Sequence, residues 1–373
     1  MFGIYVHIPY CLQRCSYCDF ATYVHDQILP PQEYVQLLLK ELRQKAVLFP
    51  QKTVTSIYFG GGTPSLLSSD LILTIIEEIG KTITILPETE ITLEINPATL
   101  DTQKIRQLIN GGVNRFSVGA QTFNDALLKG AGRKHSSADT IKTLDLLRTE
   151  AANYSFDLLF ALPHQTMGDL EADLQKIIEI QPPHLSAYCL TVPSGHPMSL
   201  NRPSDDHQVE MFAKISSALS RVGLNRYEIS NFSKPEMESQ HNLLYWRDGQ
   251  YVGLGLSAHS YIKNKHTWGF RFWNPSSIQE YQKQMEENPA VPLTDLRSKN
   301  LGEVLDEKSS LFDFCHTALR LDEGLDKSGL RTKFSTDLIA EMAKRLEKLQ
   351  SKGLILQNDT AWRLSNEGVL LSN

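Results

Sequence analysis

The sequence has no apolar run long enough to cross a membrane and no block of basic residues. Its longest apolar runs are strand-sized, such as residues 158–162, whereas a membrane span needs about 20 residues. The formal net charge is −6, so the concentrated Lys/Arg surface that nucleic-acid binding requires is missing. We therefore expect no integral membrane protein, at most peripheral membrane contact, and no nucleic-acid partner.

Cysteine is scarce, which argues against a secreted disulfide framework. The chain has five cysteines in 373 residues, and three of them lie between positions 11 and 18. Residues 1–9 lack a basic segment followed by a long apolar stretch, so we expect no secretory signal. These features predict a cytoplasmic protein whose thiols are kept for metal or redox chemistry.

What the sequence does contain is a regular alternation of strand and helix patterns up to residue 223. Short runs rich in β-branched and aromatic residues predict strands at 3–8, 56–59, 90–95, 115–120, 155–159 and 184–190. Helical patterns fill the gaps at 32–49, 68–81, 101–110, 136–151, 168–179 and 206–222. Six βα units in series favour an α/β fold with a parallel sheet, either open or curled into a partial barrel.

The rest of the chain predicts two smaller units. Residues 226–281 mix aromatic, glycine and polar residues, and 288–308 have the composition of a linker. An amphipathic helix at 336–352 and a hairpin at 354–364 then predict a small winged-helix-like domain, for which we expect packing or protein contact rather than DNA binding. We therefore predict domains at 1–225, 226–290 and 291–373.

Cys11, Cys15 and Cys18 form a C-x3-C-x2-C motif directly after the first predicted strand. The same spacing would also suit the apolar stripe of a helix, or a zinc site completed by His7 or His25. Three thiolates fit a [4Fe–4S] cluster better, because such clusters ordinarily take four cysteines and a missing fourth leaves one iron without a protein ligand.

The other predicted strands also end in polar or ligand-binding groups. In parallel βα folds the carboxyl ends of the strands form the ligand site. The groups in question are the Gly60–Thr63 run, Glu94, Gln121, Asp157 and Thr191. Each alone is described equally well as a turn or cap residue, but together they predict one site.

The cysteine motif after the first strand of a six-fold βα pattern resembles the radical S-adenosylmethionine superfamily. That resemblance implies a partial (β/α)6 TIM-like barrel, whose open iron binds the amino and carboxylate groups of S-adenosylmethionine. Reductive cleavage of the ligand then gives a 5′-deoxyadenosyl radical.

Residues 5–11 (YVHIPYC), residues 60–65 and the order of Glu94, Gln121, Arg133 and Asp157 resemble the oxygen-independent coproporphyrinogen III dehydrogenase group. Motif by motif, the resemblance implies an S-adenosylmethionine site lined by Tyr5, Tyr17, Gly61, Gly62, Thr63, Glu94, Gln121, Arg133, Asp157 and Thr191. Glu94 would accept a hydrogen bond from the ligand's ammonium group, and Arg133 would bind a carboxylate.

Two departures separate this chain from the decarboxylating enzymes of that group. Those enzymes carry one more cysteine two residues past the third, where this chain has Phe20, and an N-terminal extension that we expect to be absent here. Both departures fit a sister group, the HemW-type haem chaperones. The segment HNLLYW at 241–246 is similar to their HNxxYW motif.

The resemblance implies that the chain binds haem b, with His241 as axial iron ligand, and delivers it to haem-dependent respiratory enzymes; it allows a homodimer. From residue types alone, we would expect His241 to be a hydrogen-bonded, partly buried structural histidine rather than a haem ligand. With the family context we expect a haem chaperone that carries a [4Fe–4S] cluster and S-adenosylmethionine. The alternative is radical oxidative decarboxylation of coproporphyrinogen III.

Overall fold

The computed structural model describes residues 1–48, 53–151, 153–264, 267–287 and 301–372. The strands are β1 (Phe2–Ile8), β2 (Tyr10–Cys11), β3 (Tyr23–Val24), β4 (Thr53–Gly61), β5 (Thr84–Ile95), β6 (Arg115–Gln121), β7 (Tyr154–Phe160), β8 (His184–Cys189), β9 (Asn225–Arg226), β10 (Asn231–Ser233), β11 (Gln250–Leu254), β12 (His259–Asn264), β13 (Thr267–Trp273), β14 (Gly302–Val304), β15 (Leu325–Asp326), β16 (Ile355–Gln357) and β17 (Ala361–Leu364).

The helices are α1 (Pro31–Lys45), α2 (Ser69–Thr82), α3 (Thr102–Asn110), α4 (Asp125–Gly130), α5 (Ser137–Glu150), α6 (Met167–Ile180), α7 (Asp205–Arg221), α8 (Gln240–Trp246), α9 (Ile278–Glu287), α10 (Glu307–Arg320), α11 (Lys327–Lys333), α12 (Thr336–Ser351) and α13 (Asn366–Leu370). Within the described ranges, no helix is both long enough and apolar enough to span a bilayer.

The predicted parallel sheet is confirmed. Strands β1, β4, β5, β6, β7 and β8 are neighbours in that order, and every pair among them is parallel. All six predicted strands are present, although β5 begins six residues earlier than its pattern indicates, at Thr84. The chain therefore has the α/β fold that the alternation predicts.

The sheet continues past both ends of this parallel core. At one edge β11 pairs in parallel with β1, and β12, β13 and β14 follow in antiparallel order. At the other edge β10 and β9 extend β8. Strands after residue 225 thus join the same sheet as the parallel core. The domain boundary at 225 stays a prediction.

The second predicted boundary, at residue 290, falls outside the described residues, as do positions 288–300 of the predicted linker. The described remainder of that segment contains strand β14 and the beginning of α10. The predicted C-terminal helix and hairpin are confirmed as α12 and as β16 paired with β17. Leu311, Phe314, Leu346 and Trp362 belong to a core of this region that is separate from the core of the main sheet.

Side chains alternate between two faces of the parallel sheet, and the faces differ in chemistry. One face is apolar and joins the helices in the main core, with Ile4, Ile57, Leu93 and Phe116 as examples. The cross-strand register puts the alternate residues on the opposite, polar face. These are Tyr5, His7, Ser56, Tyr58, Glu90, Thr92, Glu94, Arg115, Ser117, Ser155, Asp157, His184 and Ser186. This polar face carries the candidate site.

Candidate functional site

The three clustered cysteines follow the first strand: Cys11 ends the short strand β2, and Cys15 and Cys18 lie on the loop after it. Cys11 is buried, Cys15 and Cys18 are half-buried, and all three are free thiols. The loop between them forms no helix, so the helix-stripe interpretation is wrong. The loop is anchored on the segment after α4, since the Ser16 backbone N donates to Ala131 O at 3.1 Å and Gln13 Nε2 donates to Gly132 O at 3.2 Å.

The zinc alternative finds no ligand set in the part of the chain that the structure describes. There, no three His, Cys, Asp or Glu side chains converge on a single ion. Both ring nitrogens of His7 are occupied, Nδ1 by the Tyr5 hydroxyl at 3.1 Å and Nε2 by Ala21 O at 2.9 Å. A [4Fe–4S] cluster needs no such convergence, because the three cysteines would each bind a different iron.

Glu94 lies at the end of β5 with its carboxylate fixed by two donors. The Tyr58 hydroxyl donates to Oε1 at 2.8 Å, and the Gly61 backbone N donates to Oε2 at 3.1 Å. Burial, reinforced by the neighbouring Asp157 carboxylate, raises the pKa of Glu94 to about 7. A buried carboxylate of this kind favours a cationic partner.

Asp157 lies on the polar face of β7, with Ser117 Oγ 3.4 Å from both of its carboxylate oxygens. Burial raises its pKa to about 6. Two carboxyl groups with raised pKa values thus lie on one polar face, a pattern typical of functional sites as well as of structural ion networks.

Arg133 connects the cysteine loop to the strand ends. Its NH1 donates to Cys15 Sγ at 3.3 Å, and its NH2 donates to Asn96 Oδ1 at 3.1 Å and to Gly119 O. Its Nε is buried and has no hydrogen-bond partner within the described ranges. This guanidinium, the three thiols and the Glu94 carboxylate form a donor set that fits an iron–sulfur cluster and an amino-acid ligand.

The glycines at the end of β4 let the backbone pass close to the strand that leads to the cysteines. Gly61 has a φ of +107°, and a Cβ there would lie 2.5 Å from the His7 ring. A Cβ on Gly62 would lie 2.6 Å from the Tyr10 carbonyl oxygen. The neighbouring Thr63 N–H donates to that same oxygen at 2.7 Å, so this turn is built for backbone contact.

The remaining predicted cofactor residues lie at the same end of the sheet or near it. Tyr5 stacks on Tyr58, with ring centroids 6.3 Å apart. Tyr17 packs beside a small apolar cluster that contains Leu159. Gln121 is the last residue of β6 and has a φ of +71°, whereas Thr191 is exposed beyond β8.

Asn96 and His135 are contacts that the sequence patterns did not reveal. Asn96 Oδ1 also lies 3.0 Å from His135 Nδ1, so one amide holds both Arg133 and a buried imidazole. Burial and the Arg133 charge lower the pKa of His135 to about 4, so this ring is neutral at physiological pH. The available signal was the position of Asn96, two residues beyond Glu94 at the same strand exit.

His241 lies in the interior, only 1% exposed, at the beginning of α8. Its Nδ1 is 2.8 Å from Ser56 Oγ, and its Nε2 is 2.9 Å from the Tyr245 hydroxyl. Neither ring nitrogen is free to bind iron in this conformation. Ligation of haem by His241 stays a prediction, and it requires one of these two hydrogen bonds to break.

Comparisons with known proteins show the family to which the chain belongs. The sequence matches the family model of the radical SAM superfamily over residues 5–177 and that of the HemN C-terminal domain over residues 305–371. The protein named "Heme chaperone HemW" from Buchnera aphidicola subsp. Schizaphis graminum is 33% identical, over 100% of this chain and 96% of that protein. Its namesake from Bacillus subtilis is also 33% identical, over 100% of this chain and 97% of that protein.

A solved structure shares the whole fold. The coproporphyrinogen III oxidase HemN of Escherichia coli superposes with a TM-score of 0.84 at 22% identity, covering 100% of this chain and 88% of that one. The family match and the shared fold identify the class of protein as the radical S-adenosylmethionine superfamily. Within that superfamily, full-length identity shows that the chain belongs to the HemW haem chaperone family.

Proposed function

We propose that this protein is a haem chaperone: it binds haem b and transfers it to haem-dependent respiratory enzymes. The observation that carries the proposal is the similarity over the whole chain to relatives named heme chaperones. Phe20 supports it further, because this exposed side chain stands where the decarboxylating enzymes carry an additional cysteine.

We propose that Cys11, Cys15 and Cys18 hold a [4Fe–4S] cluster and that S-adenosylmethionine binds beside it. Bound together, this pair supplies one-electron reductive chemistry. Burial raises the pKa of the Cys11 thiol, and because the cluster binds thiolate, its assembly here must release that proton.

The chain's own groups would orient the S-adenosylmethionine ligand. The Glu94 carboxylate, already held by Tyr58 and Gly61, would accept hydrogen bonds from the ligand's amino group. Arg133 would donate its unpartnered Nε–H to a carboxylate. The other proposed contacts are Tyr5, Tyr17, Gly61, Gly62, Thr63, Gln121, Asp157 and Thr191.

Haem ligation by His241 would require the imidazole to exchange a hydrogen bond for a metal bond. Burial first, and then the Arg115 charge, lower the pKa of His241 to about 3, so the ring is neutral and can in principle ligate iron. The Tyr245 hydroxyl must leave Nε2, or Ser56 must leave Nδ1, before either nitrogen is available. We therefore propose that His241 reaches haem only after α8 rearranges.

The proposal includes a cytoplasmic location and allows a homodimer. The bacterial relatives and the set of free cysteines support a reducing compartment.

The first prediction concerns the cluster and haem transfer together. Anaerobically reconstituted protein should hold about four irons per chain, and Cys15→Ala should lose them. Cys315→Ala is the matched control, since that buried thiol belongs to the C-terminal core and should leave the iron content unchanged. Haem-loaded wild type should then transfer haem to a respiratory haem protein prepared without haem, as followed by absorbance.

Stoichiometric zinc with no sulfide in the reconstituted protein would contradict the cluster assignment. Haem that stays on the protein in the presence of the haem-free respiratory acceptor, but leaves for apomyoglobin, would contradict the proposed acceptor class.

A further inference from the structure

Helix α8 is fixed to the polar face of the sheet by a buried carboxylate. Glu90 Oε2 accepts the backbone N–H of Gln240 at 2.9 Å, and Glu90 Oε1 accepts that of His241 at 3.0 Å. The Ser239 side chain caps the same helix by accepting from Asn242 N. These bonds hold the first turn of α8 against β5, so the position of the His241 side chain is set by the sheet.

The His241 ring packs on Tyr58 rather than facing solvent. The two ring centroids are 5.1 Å apart with an interplanar angle of 26°. Ser56 and Tyr245 fix the rotation of the imidazole through its two nitrogens. The imidazole ring of His241 is therefore held in one orientation against the Tyr58 ring.

Tyr58 in turn reaches the proposed cofactor site. Its hydroxyl donates to Glu94 Oε1 at 2.8 Å, and its ring also stacks on Tyr5. Gly60 leaves the tyrosine just enough room, because a Cβ there would lie 2.8 Å from the Tyr58 ring and 3.1 Å from Glu94 Oε1. A single tyrosine thus separates His241 from the carboxylate.

We infer that His241 is a positioning residue for the S-adenosylmethionine site: its ring holds Tyr58, and Tyr58 holds the Glu94 carboxylate toward the ligand's amino group. This inference rests on the proposed function for the identity of the ligand. The His241 ring contacts Ser56, Tyr58 and Tyr245, and of these Tyr58 is the one bonded to Glu94, so the effect of His241 passes through Tyr58.

The test is a double-mutant cycle on anaerobically reconstituted, full-length protein, with the dissociation constant for S-adenosylmethionine measured by equilibrium dialysis. His241→Ala removes the imidazole ring that packs on Tyr58, and Tyr58→Phe removes only the hydroxyl that donates to Glu94. Each should weaken binding about tenfold, which corresponds to the loss of about one hydrogen bond. Because both changes act through the same bond, the double variant should be little weaker than either single variant.

His241→Phe supplies the rescue. Phenylalanine keeps an aromatic ring against Tyr58. The affinity of the His241→Phe variant for S-adenosylmethionine should therefore lie within about threefold of the wild-type value. Iron content and thermal unfolding of every variant show whether it is folded and loaded. If His241→Ala does not fold, His241→Leu takes its place: it fills the space without an aromatic face and must weaken binding, whereas His241→Phe must not.

The inference is overturned if His241→Ala binds like wild type, if the two single effects multiply in the double variant, or if His241→Phe is as weak as His241→Ala. A wild type that binds no S-adenosylmethionine would instead refute the proposed cofactor itself. The two failures are therefore distinguishable in one experiment.

Discussion

At the scale of single residues, the site depends on ionisable groups taken out of water. Glu94 has two hydrogen-bond donors and Asp157 has Ser117 beside it, yet burial raises the pKa of both carboxyl groups toward neutrality. A carboxylate that is costly to ionise alone gains most from a cationic ligand. This is the physical basis for assigning Glu94 to an amino group.

Binding of S-adenosylmethionine should therefore depend on pH through Glu94. Since the pKa of Glu94 is about 7, the carboxylate becomes protonated as the pH falls from 8 to 6, and wild-type affinity should fall with it. Glu94→Gln should bind about 10- to 100-fold more weakly at pH 8, the range expected for a charged hydrogen bond, and should lose most of the pH dependence. Equilibrium dialysis across this pH range measures both effects.

The matched control is Glu88→Gln, an exposed glutamate on the same strand, which should follow the wild-type profile. Because the folded-state pKa of Glu94 is raised, this group contributes stability below its ordinary pKa that is lost as the pH rises through about 7. Ligand-free Glu94→Gln should thus unfold at or above the wild-type temperature at pH 8. An unchanged pH slope in Glu94→Gln would assign the titration to another group.

At the scale of elements, the turn after β4 brings the sheet and the cysteine loop together. We expect Gly62→Ala to destabilise the fold by about 1–3 kcal/mol through overpacking, because its Cβ would meet the backbone oxygens of Tyr10 and Ile8. Cluster content should fall as well, since the displaced backbone contacts the strand that leads directly into Cys11. Thermal unfolding and iron analysis of the same preparations measure both.

Gly130→Ala is the control for this prediction. Gly130 is the last residue of α4, and a Cβ there would meet nothing within 4 Å, so alanine should be neutral or stabilising. Equal stability of the Gly62→Ala and wild-type proteins would show that the turn is looser than its contacts indicate.

The elements themselves were largely predictable because their signals are local. Residues 90–95 alternate apolar and polar side chains, and Asp101 caps α3 by accepting from Lys104 N at 2.8 Å. Capping and alternation depend only on neighbouring residues. The extension of the sheet by β11 was not predictable, because its partner β1 lies more than 240 positions away in the chain.

Part of the candidate site was likewise predictable from local sequence patterns, and part was not. The cysteine motif and the strand-end groups were predictable, since parallel strands in series bring their carboxyl ends to one edge. The location of His241 was not, because it depends on contacts with Ser56 and Glu90, which are 185 and 151 residues away. Sequence pattern identified the residue, whereas only packing showed that it faces the sheet.

At the scale of the whole molecule, α8 lies between the sheet and the C-terminal region. Arg320 of α10 lies over the Trp246 ring at 4.3 Å and pairs with the buried Glu228 at 3.4 Å. His241, which lies on α8 with Trp246, packs on Tyr58 of the sheet. Haem ligation by His241 would withdraw the ring from Tyr58, so haem and S-adenosylmethionine would oppose each other's binding by the same factor.

The most direct test of the haem chaperone assignment is haem binding and coproporphyrinogen III turnover measured on one anaerobically reconstituted sample. We expect haem titration to give a stable complex by absorbance, while coproporphyrinogen III, supplied with S-adenosylmethionine and a reductant, is not consumed. A sample that binds no haem yet decarboxylates coproporphyrinogen III would contradict it.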